Sequence, residues 1–354
     1  DAPEINAGPI PILYLDLATG HFVNENNFAV DDEQIDVYRI INGKLCTPGH
    51  DPKEGWEMGN FYRLEPGGWV KHRTIPEAIH AYDFYGFGGK LFAALGPQTN
   101  KVSTVVSSDD DGQTWMSYKK LDSWRRYTLF ELEGVLYAPP ESLGSDLKLL
   151  GKKAHRMAEY SGTDFTTRTD LSFQNVFPDT PCDIAQYPDG RFGKIVKPVN
   201  FSGRLVFIGG EEWNDHQTFP FGLYVASSLA AGNVQVDRVT LPENALPWDI
   251  LTRDGKVYVL TSGKTEGTPD SFTVKVFSSA DCLSWTELFH FTMPTFARSF
   301  EESDGDFYFG LGTDVGVANA AASYTDNMQP ESGKILRVTK AAYTGQIGDA
   351  DSTD

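Results

Sequence analysis

Hydrophobic and polar residues alternate along most of the chain in short stretches, which is the pattern of β-strands with one buried face. Six of these stretches follow a glycine that ends a tight turn, namely Gly43, Gly89, Gly134, Gly203, Gly255 and Gly305. By subtraction, successive glycines are 46, 45, 69, 52 and 50 residues apart. A period of roughly 40 to 50 residues is typical of repeats that contain four short strands. The pattern therefore predicts an all-β fold with six countable units, and insertions in the third and fourth.

Each unit is expected to run from an inner strand through two middle strands to an outer one. The second unit shows this order most clearly, with strands predicted over 80–84, 91–95, 103–106 and 115–118. The last unit lacks an outer strand, and we expect residues 11–16 to supply it and close a ring. We predict one domain over 1–343 and a loose, acidic tail over 344–354.

An Asp-box occupies the outer turn of the second unit. Ser108 and Asp110 are placed to accept hydrogen bonds from backbone amides, Gly112 supplies a positive φ, and Thr114 and Trp115 begin the returning strand. A degraded copy lies at 279–285. The motif resembles the blade hairpin of sialidase-like β-propellers. It therefore favours a β-propeller of four-stranded blades, and it lies away from any substrate site.

Composition narrows the partners that the chain can bind. The formal net charge of −19 argues against a nucleic-acid-binding surface. No apolar run is long enough to cross a bilayer, so we expect no membrane partner. We expect a mature, secreted, extracellular protein, because the chain begins at Asp1 rather than Met and carries an Asn200-Phe201-Ser202 glycosylation sequon. We also expect a monomer, since nothing in the sequence indicates an oligomer.

Cysteine and histidine spacing gives no zinc motif, and we predict no metal site and no required cofactor. A calcium ion would be compatible with an acidic loop, but no ligand spacing supports one. Three cysteines allow one disulfide, and its pairing stays open.

Candidate site residues lie at the starts of the inner strands, which line one mouth of a propeller. Alignment on the turns brings cations to this mouth: His80, Arg125 or Arg126, Lys194, Lys197 and Arg298. The aromatic residues Tyr82, Tyr127 and Trp248 follow two residues after equivalent positions. Cations beside aromatic rings suit a sugar that bears a carboxylate. Asp249 is an alternative partner for Arg298, which would be costly to bury without an anion.

The segment 80–115 is similar to secreted fungal propeller enzymes that act on plant polysaccharide side chains. The resemblance is to the L-rhamnose-α-1,4-D-glucuronate lyases, which trim rhamnose from arabinogalactan and gum arabic. It implies seven blades where six are countable here. It also implies β-elimination at a rhamnosyl-(1,4)-glucuronate end, with an acidic plant polysaccharide as the partner.

Elimination requires that the uronate carboxylate is neutralised, that a base removes H5, and that an acid protonates the leaving oxygen. We expect Arg125 and Arg298 to bind the carboxylate, and His80 to act as the acid or the base. Tyr82 or Tyr127 takes the remaining proton role. The residues expected to bind the rest of the substrate are Arg126, Lys194, Lys197, Trp248 and Asp249.

Two other functions stay open. A sialidase-like exo-glycosidase would use Arg39, Arg125 and Arg298 as a three-arginine clamp, although no proline follows Arg39 as that motif expects. A propeller lectin would repeat one pocket in each blade. Equivalent inner-strand positions differ instead, which favours one asymmetric site and an enzyme: His80, Arg125, Lys194, Leu246 and Phe296.

Overall fold

The computed structural model describes residues 10–25, 30–32, 35, 37–99, 101–144, 155–181, 192–213, 217–268, 270–312 and 329–344. Contacts divide the chain into two compact units. The first contains Asp1–Leu143 and His155–Thr169, and the second contains Gly144–Ala154 and Asp170–Asp354. No helix within the described ranges is long and apolar enough to cross a bilayer.

The first unit consists of a hairpin and three four-stranded antiparallel sheets. The hairpin pairs β1 (Ile12–Asp16) with β2 (His21–Glu25). Sheet 1 contains β3 (Arg39–Ile41), β4 (Lys44–Pro48), β5 (Met58–Glu65) and β6 (Gly68–Pro76). Sheet 2 contains β7 (Ala78–Phe87), β8 (Lys90–Pro97), β9 (Val105–Ser108) and β10 (Met116–Ser117). Sheet 3 contains β11 (Phe130–Leu132), β12 (Val135–Ala138), β14 (Ala158–Tyr160) and β15 (Phe165–Thr167). The short strand β13 (Leu143–Gly144) lies between β12 and β14 in sequence.

The second unit begins with a short helix, α1 (Phe173–Val176), capped by Ser172. Sheet 4 includes β16 (Phe192–Phe201), β17 (Arg204–Trp213), β18 (Gln217–Ala230) and β19 (Asn233–Val239). A 3₁₀ turn, Pro242–Asn244, leads into sheet 5. That sheet contains β20 (Pro247–Arg253), β21 (Lys256–Lys264), β22 (Phe272–Ser279) and β23 (Thr286–Met293). Sheet 6 contains β24 (Phe296–Ser303), β25 (Asp306–Gly312) and β26 (Ile335–Val338).

The all-β class and the four-stranded blades are confirmed, and so are the six predicted turns. In each turn both central residues have a positive φ, as a two-residue type I′ hairpin requires. The second residue is always the predicted glycine, and the first is Asn42, Gly88, Glu133, Ser202, Asp254 or Asp304. These turns join the first and second strands of sheets 1 to 6.

Both Asp-boxes form the outer turn of a sheet, between its third and fourth strands. Asp110 accepts hydrogen bonds from the Thr114 amide (2.8 Å) and hydroxyl (2.7 Å), and Ser108 accepts one from the Gly112 amide (2.8 Å). In the second copy Asp281 accepts from the amides of Leu283 and Ser284, both at 2.8 Å. The predicted turn chemistry is therefore present in both copies.

The hydrophobic core of each unit lies between the faces of neighbouring sheets. In the first unit Phe61 of sheet 1 meets Phe84 of sheet 2 edge to face, with ring centroids 5.6 Å apart. Trp115, from the Asp-box, stacks on Phe84 at 6.3 Å. In the second unit buried residues of sheets 4 and 5 form one cluster that includes Leu223 and Val259. Alternate side chains of each strand therefore face a neighbouring sheet.

The predicted closing strand is wrong. Residues Ile12–Asp16 pair with His21–Glu25 in a sheet of their own, and sheet 6 has three strands within the described residues. Ile12 packs with Tyr62 and Trp69 of sheet 1, which explains its apolar character without a strand partner in sheet 6. The described ranges contain six blade-like sheets. Of the tail predicted over 344–354, residues 345–354 lie outside them, and the single domain over 1–343 stays a prediction.

A buried aspartate joins successive sheets in each unit. In the first unit Asp83 accepts two hydrogen bonds from Arg39 of sheet 1, both at 2.9 Å. Its carboxylate also accepts from the Thr128 hydroxyl and the Leu129 amide, each at 2.9 Å, just before sheet 3. In the second unit Asp249 accepts from Lys197 of sheet 4 (3.4 Å) and from the Phe300 amide of sheet 6 (3.1 Å). Because each aspartate residue is 5% exposed or less, removing its carboxylate would leave several donors without a partner.

We expect Asp83→Asn to lower the free energy of unfolding by about 3 kcal/mol, because it removes one partner of a buried ion pair. The measurement is denaturant-induced unfolding followed by circular dichroism. The matched control is Asp109→Asn in the outer turn of the same sheet, whose side chain is 71% exposed and pairs with Lys90. Its expected cost is below about 1 kcal/mol. Equal losses in the two variants would contradict the role of Asp83.

Candidate active site in the first unit

His80 and Tyr82 lie on the innermost strand of sheet 2, as predicted. The strand β7 has bulges beside both residues, and His80 pairs with Gly96 of β8. A Cβ atom at Gly96 would lie 2.9 Å from His80 Cδ2, 3.2 Å from Tyr82 Cε2 and 3.4 Å from Arg125 Cγ. A glycine at this position therefore allows His80, Tyr82 and Arg125 to pack over the same point of the backbone.

His50 and Asp51 belong to the same cluster, and the sequence analysis missed them. The backbone of His50 forms a bridge with His80, and the two imidazole rings lie 4.3 Å apart. Asp51 Oδ2 lies 3.5 Å from His80 Nδ1 and 3.8 Å from His50 Nδ1. The repeat pattern points to residues on inner strands, whereas these two residues follow the second strand of sheet 1. The run Pro48-Gly49-His50-Asp51-Pro52 was the available signal, because a histidine within such a turn is held rigidly.

Arg125 and Tyr127 extend the cluster from the segment that precedes β11. The Tyr127 ring lies 4.4 Å from the Tyr82 ring, and its hydroxyl donates to Glu141 Oε1 at 3.4 Å. Arg125 has an exposed side chain and Tyr127 is half-buried, so both are accessible to a ligand. The structure therefore brings together four of the five predicted catalytic residues: His80, Tyr82, Arg125 and Tyr127.

The predicted substrate-binding role of Arg126 is wrong. Its side chain is fully buried, and its guanidinium donates to the carbonyl oxygens of Ala138 and Arg156. Side chains alternate along an extended segment, so Arg125 and Arg126 point in opposite directions. Arg126 also donates its backbone amide to Leu95 O at 3.1 Å, which ties this segment to sheet 2. It supports the site rather than contacting a substrate.

The remaining predicted residues belong to the second unit, on sheets 4 to 6: Lys194, Lys197, Trp248, Asp249 and Arg298. Asp249 is corrected, because its carboxylate is buried and accepts hydrogen bonds within the fold. Its cationic partner is Lys197 and not Arg298. The roles predicted for Lys194, Lys197, Trp248 and Arg298 stay predictions.

The His80 imidazole is held in its neutral form. Burial and the nearby charges of His50 and Arg125 together lower its pKa to about 3, against the opposing charge of Asp51. A neutral imidazole carries a lone pair at physiological pH and is able to accept a proton. The site thus combines a proton acceptor, two phenols and an exposed guanidinium.

Among the described residues, one group has side chains that are placed to share a metal ion: His50, Asp51 and His80. Their ligand atoms lie within 4.8 Å of one another. Two imidazoles and one carboxylate suit zinc or a similar transition metal. The set does not suit calcium, which prefers six to eight oxygen ligands.

No protein-family model matches the chain, and no curated protein does. Among solved structures it is similar to the β-propeller domain of the trilobed protease from Pyrococcus furiosus, with 10% identity, a TM-score of 0.48, and coverage of 92% of this chain and 83% of that one. It is also similar to an α-L-arabinanase from Penicillium chrysogenum, with 13% identity, a TM-score of 0.38, and 86% and 92% coverage. A third is the α-L-arabinofuranosidase Arb93A from Fusarium graminearum, with 11% identity, a TM-score of 0.40, and 88% and 95% coverage. TM-scores this low do not support the transfer of an activity.

The lowered pKa of His80 predicts a dependence of stability on pH. The unfolded chain binds this proton near pH 6.5, whereas the folded chain binds it only near pH 3. Stability from the neutral imidazole is therefore complete above pH 6.5 and is lost as the pH falls towards 3. When the pH is lowered from about 7 to about 4.5, the free energy of unfolding should therefore decrease less in His80→Gln than in the wild type. Denaturant unfolding in EDTA measures this, and an identical pH dependence in both proteins would contradict it.

Proposed function

We propose that the protein is a carbohydrate-active enzyme, and specifically a secreted polysaccharide lyase. It cleaves rhamnosyl-(1,4)-glucuronate ends of arabinogalactan or gum arabic by β-elimination, releasing rhamnose and leaving an unsaturated uronate. The observation that supports this most strongly is the contact of neutral, buried His80 with Tyr82, whose ring centroids lie 5.3 Å apart, beside the exposed side chain of Arg125. This set provides a base, an acid and a carboxylate partner in one place. Secretion and the monomeric state stay predictions.

In the proposed reaction Arg125 binds the C6 carboxylate of the glucuronate. Neutralising that carboxylate makes the C5 proton removable, because the negative charge that develops on C5 spreads onto the carboxyl group. The C5–H bond breaks and the base takes the proton. The electron pair forms the C4–C5 double bond, the C4–O4 bond breaks, and the leaving O4 takes a proton from an acid. No water molecule is consumed, and the site needs no pair of facing carboxylates.

His80 is the proposed base. In the free protein its low pKa makes it a weak base, and the negative charge of a bound substrate raises that pKa. The imidazolium that forms is stabilised by Asp51, whose Oδ2 lies 3.5 Å from Nδ1. Nδ1 faces Asp51, so Nε2 is the atom proposed to receive the C5 proton.

A tyrosine is the proposed acid. Tyr127 is half-buried and its hydroxyl already contacts Glu141, while the Tyr82 ring is packed between His80 and Tyr127. Tyr127 is the more accessible of the two, and we assign the protonation of O4 to it. The buried Tyr82 is assigned to positioning the base and the acid relative to each other.

The sialidase-like alternative is less well supported. Its three-arginine clamp requires Arg39 to bind the substrate carboxylate. Arg39 instead makes two hydrogen bonds to Asp83 and is largely buried by that contact. Its charge is already neutralised within the fold, so it is not available to a ligand.

The proposed function predicts that wild-type protein incubated with gum arabic produces ultraviolet absorbance of an unsaturated uronate together with free rhamnose. His80→Gln should lower this rate at least about 100-fold, the scale expected for losing general base catalysis. The matched control is His290→Gln, a histidine 60% exposed on β23, which should leave the rate unchanged. EDTA should also leave it unchanged.

Three results would contradict the proposal. Binding of acidic glycans without turnover by the wild type would favour the lectin. Rhamnose release without absorbance would indicate hydrolysis. Loss of activity in EDTA that zinc restores would assign His50, Asp51 and His80 to a metal ion, and His80 would then not be the base.

A further inference from the structure

A second cationic site lies in the second unit, around Arg298. This residue lies on β24 with an exposed side chain, and its guanidinium carbon is 5.7 Å from the centre of the Trp248 ring. The described part of the chain places no carboxylate in an ion pair with it. Asp249, the candidate partner from sequence, is already engaged by Lys197 and two backbone amides. Within the described residues, Arg298 therefore presents a positive charge that no carboxylate neutralises.

The surroundings of Arg298 hold it in a fixed place. The Trp248 indole donates to Ser262 O at 3.0 Å and packs edge to face on Phe296, with centroids 4.8 Å apart. A Cβ atom at Gly312 would lie 3.2 Å from Arg298 Cδ, so this glycine leaves room for the arginine stem. The guanidinium thus lies over a rigid ring, which lowers the entropy cost of binding a ligand.

Aromatic and cationic groups continue beside this pair. Phe219 packs edge to face on Trp248 at 5.5 Å, and Phe272 packs on Phe296 at 5.6 Å. The Lys264 ammonium lies 5.7 Å from the centre of the Phe272 ring. In a chain of net charge −19, the Arg298 guanidinium beside this aromatic cluster is a local positive group that favours an anionic ligand.

We propose that Arg298, supported by Trp248, is a binding site for the carboxylate of an acidic sugar. The planar guanidinium matches a carboxylate with two parallel hydrogen bonds, and the aromatic rings offer contact to the apolar face of a pyranose. The choice of a uronate rests on the proposed function. Binding to this site does not require turnover, so the two proposals are able to fail separately.

The test is isothermal titration calorimetry of the full chain with an oligosaccharide ending in glucuronate. Every variant carries His80→Gln, which blocks turnover. We expect saturable binding at two sites, one around Arg125 and one around Arg298. His80→Gln/Arg298→Gln should lower the affinity of one of them at least tenfold, which corresponds to about 1.4 kcal/mol. His80→Gln/Arg298→Lys keeps the positive charge but not the planar guanidinium, and its affinity should fall several-fold. The control, His80→Gln/Arg253→Gln, removes an exposed arginine of sheet 5 that pairs with Glu302, and should bind as its parent does.

Competition identifies the ligand chemistry. Free glucuronate should compete for the site, whereas neutral glucose and inorganic sulfate at equal concentration should not. Equal competition by sulfate would overturn the proposal, since the site would then bind any anion. Unchanged affinity in the Arg298→Gln background would overturn it as well. In that case Arg125→Gln is added to the double variant. If this addition lowers the affinity, the proposed function survives and only the Arg298 site is wrong.

Discussion

Each compact unit places one carboxylate, Asp83 or Asp249, where three successive sheets meet. Each aspartate lies at a bulge on the innermost strand of its sheet and accepts from the backbone of its own strand. Each also accepts from a cation of the preceding sheet and from an amide of the following one. Buried carboxylates are costly unless every lone pair is satisfied. Neighbouring sheets are therefore restricted to arrangements that keep these donors in place.

The site in the first unit depends on this constraint. Asp83 directly follows Tyr82, and its partners Thr128 and Leu129 directly follow Tyr127. Holding these two segments together sets the 4.4 Å contact between the tyrosine rings. Interactions that are not part of the chemistry thus fix the relative positions of the proposed acid and base, and catalysis is sensitive to displacements of about 1 Å.

Much of the fold was predictable because its determinants are local. A type I′ turn needs a residue that tolerates positive φ, so Gly43 and Gly255 are visible in the sequence, and the Asp-box makes all its bonds within one turn. The closing strand could not be predicted, because apolar alternation at 12–16 does not show which strand it pairs with. The site was predictable where it lies on an inner strand, as His80 does. The place of His50 in the site and the hydrogen bonds of Asp83 depend on contacts between sheets, which have no signature in sequence spacing.

The central claim is that His80 promotes elimination rather than hydrolysis, and the mass of the glycan product tests it most directly. Elimination leaves a terminal hexuronate lighter by one water than the hydrolysis product, because no water enters the bond that breaks. Mass spectrometry of gum arabic oligosaccharides after treatment should therefore show ends that lack one water and contain a C4–C5 double bond. Ends of full mass would contradict the account, and would direct attention to Asp51 and Glu141 as the carboxylates of a hydrolase.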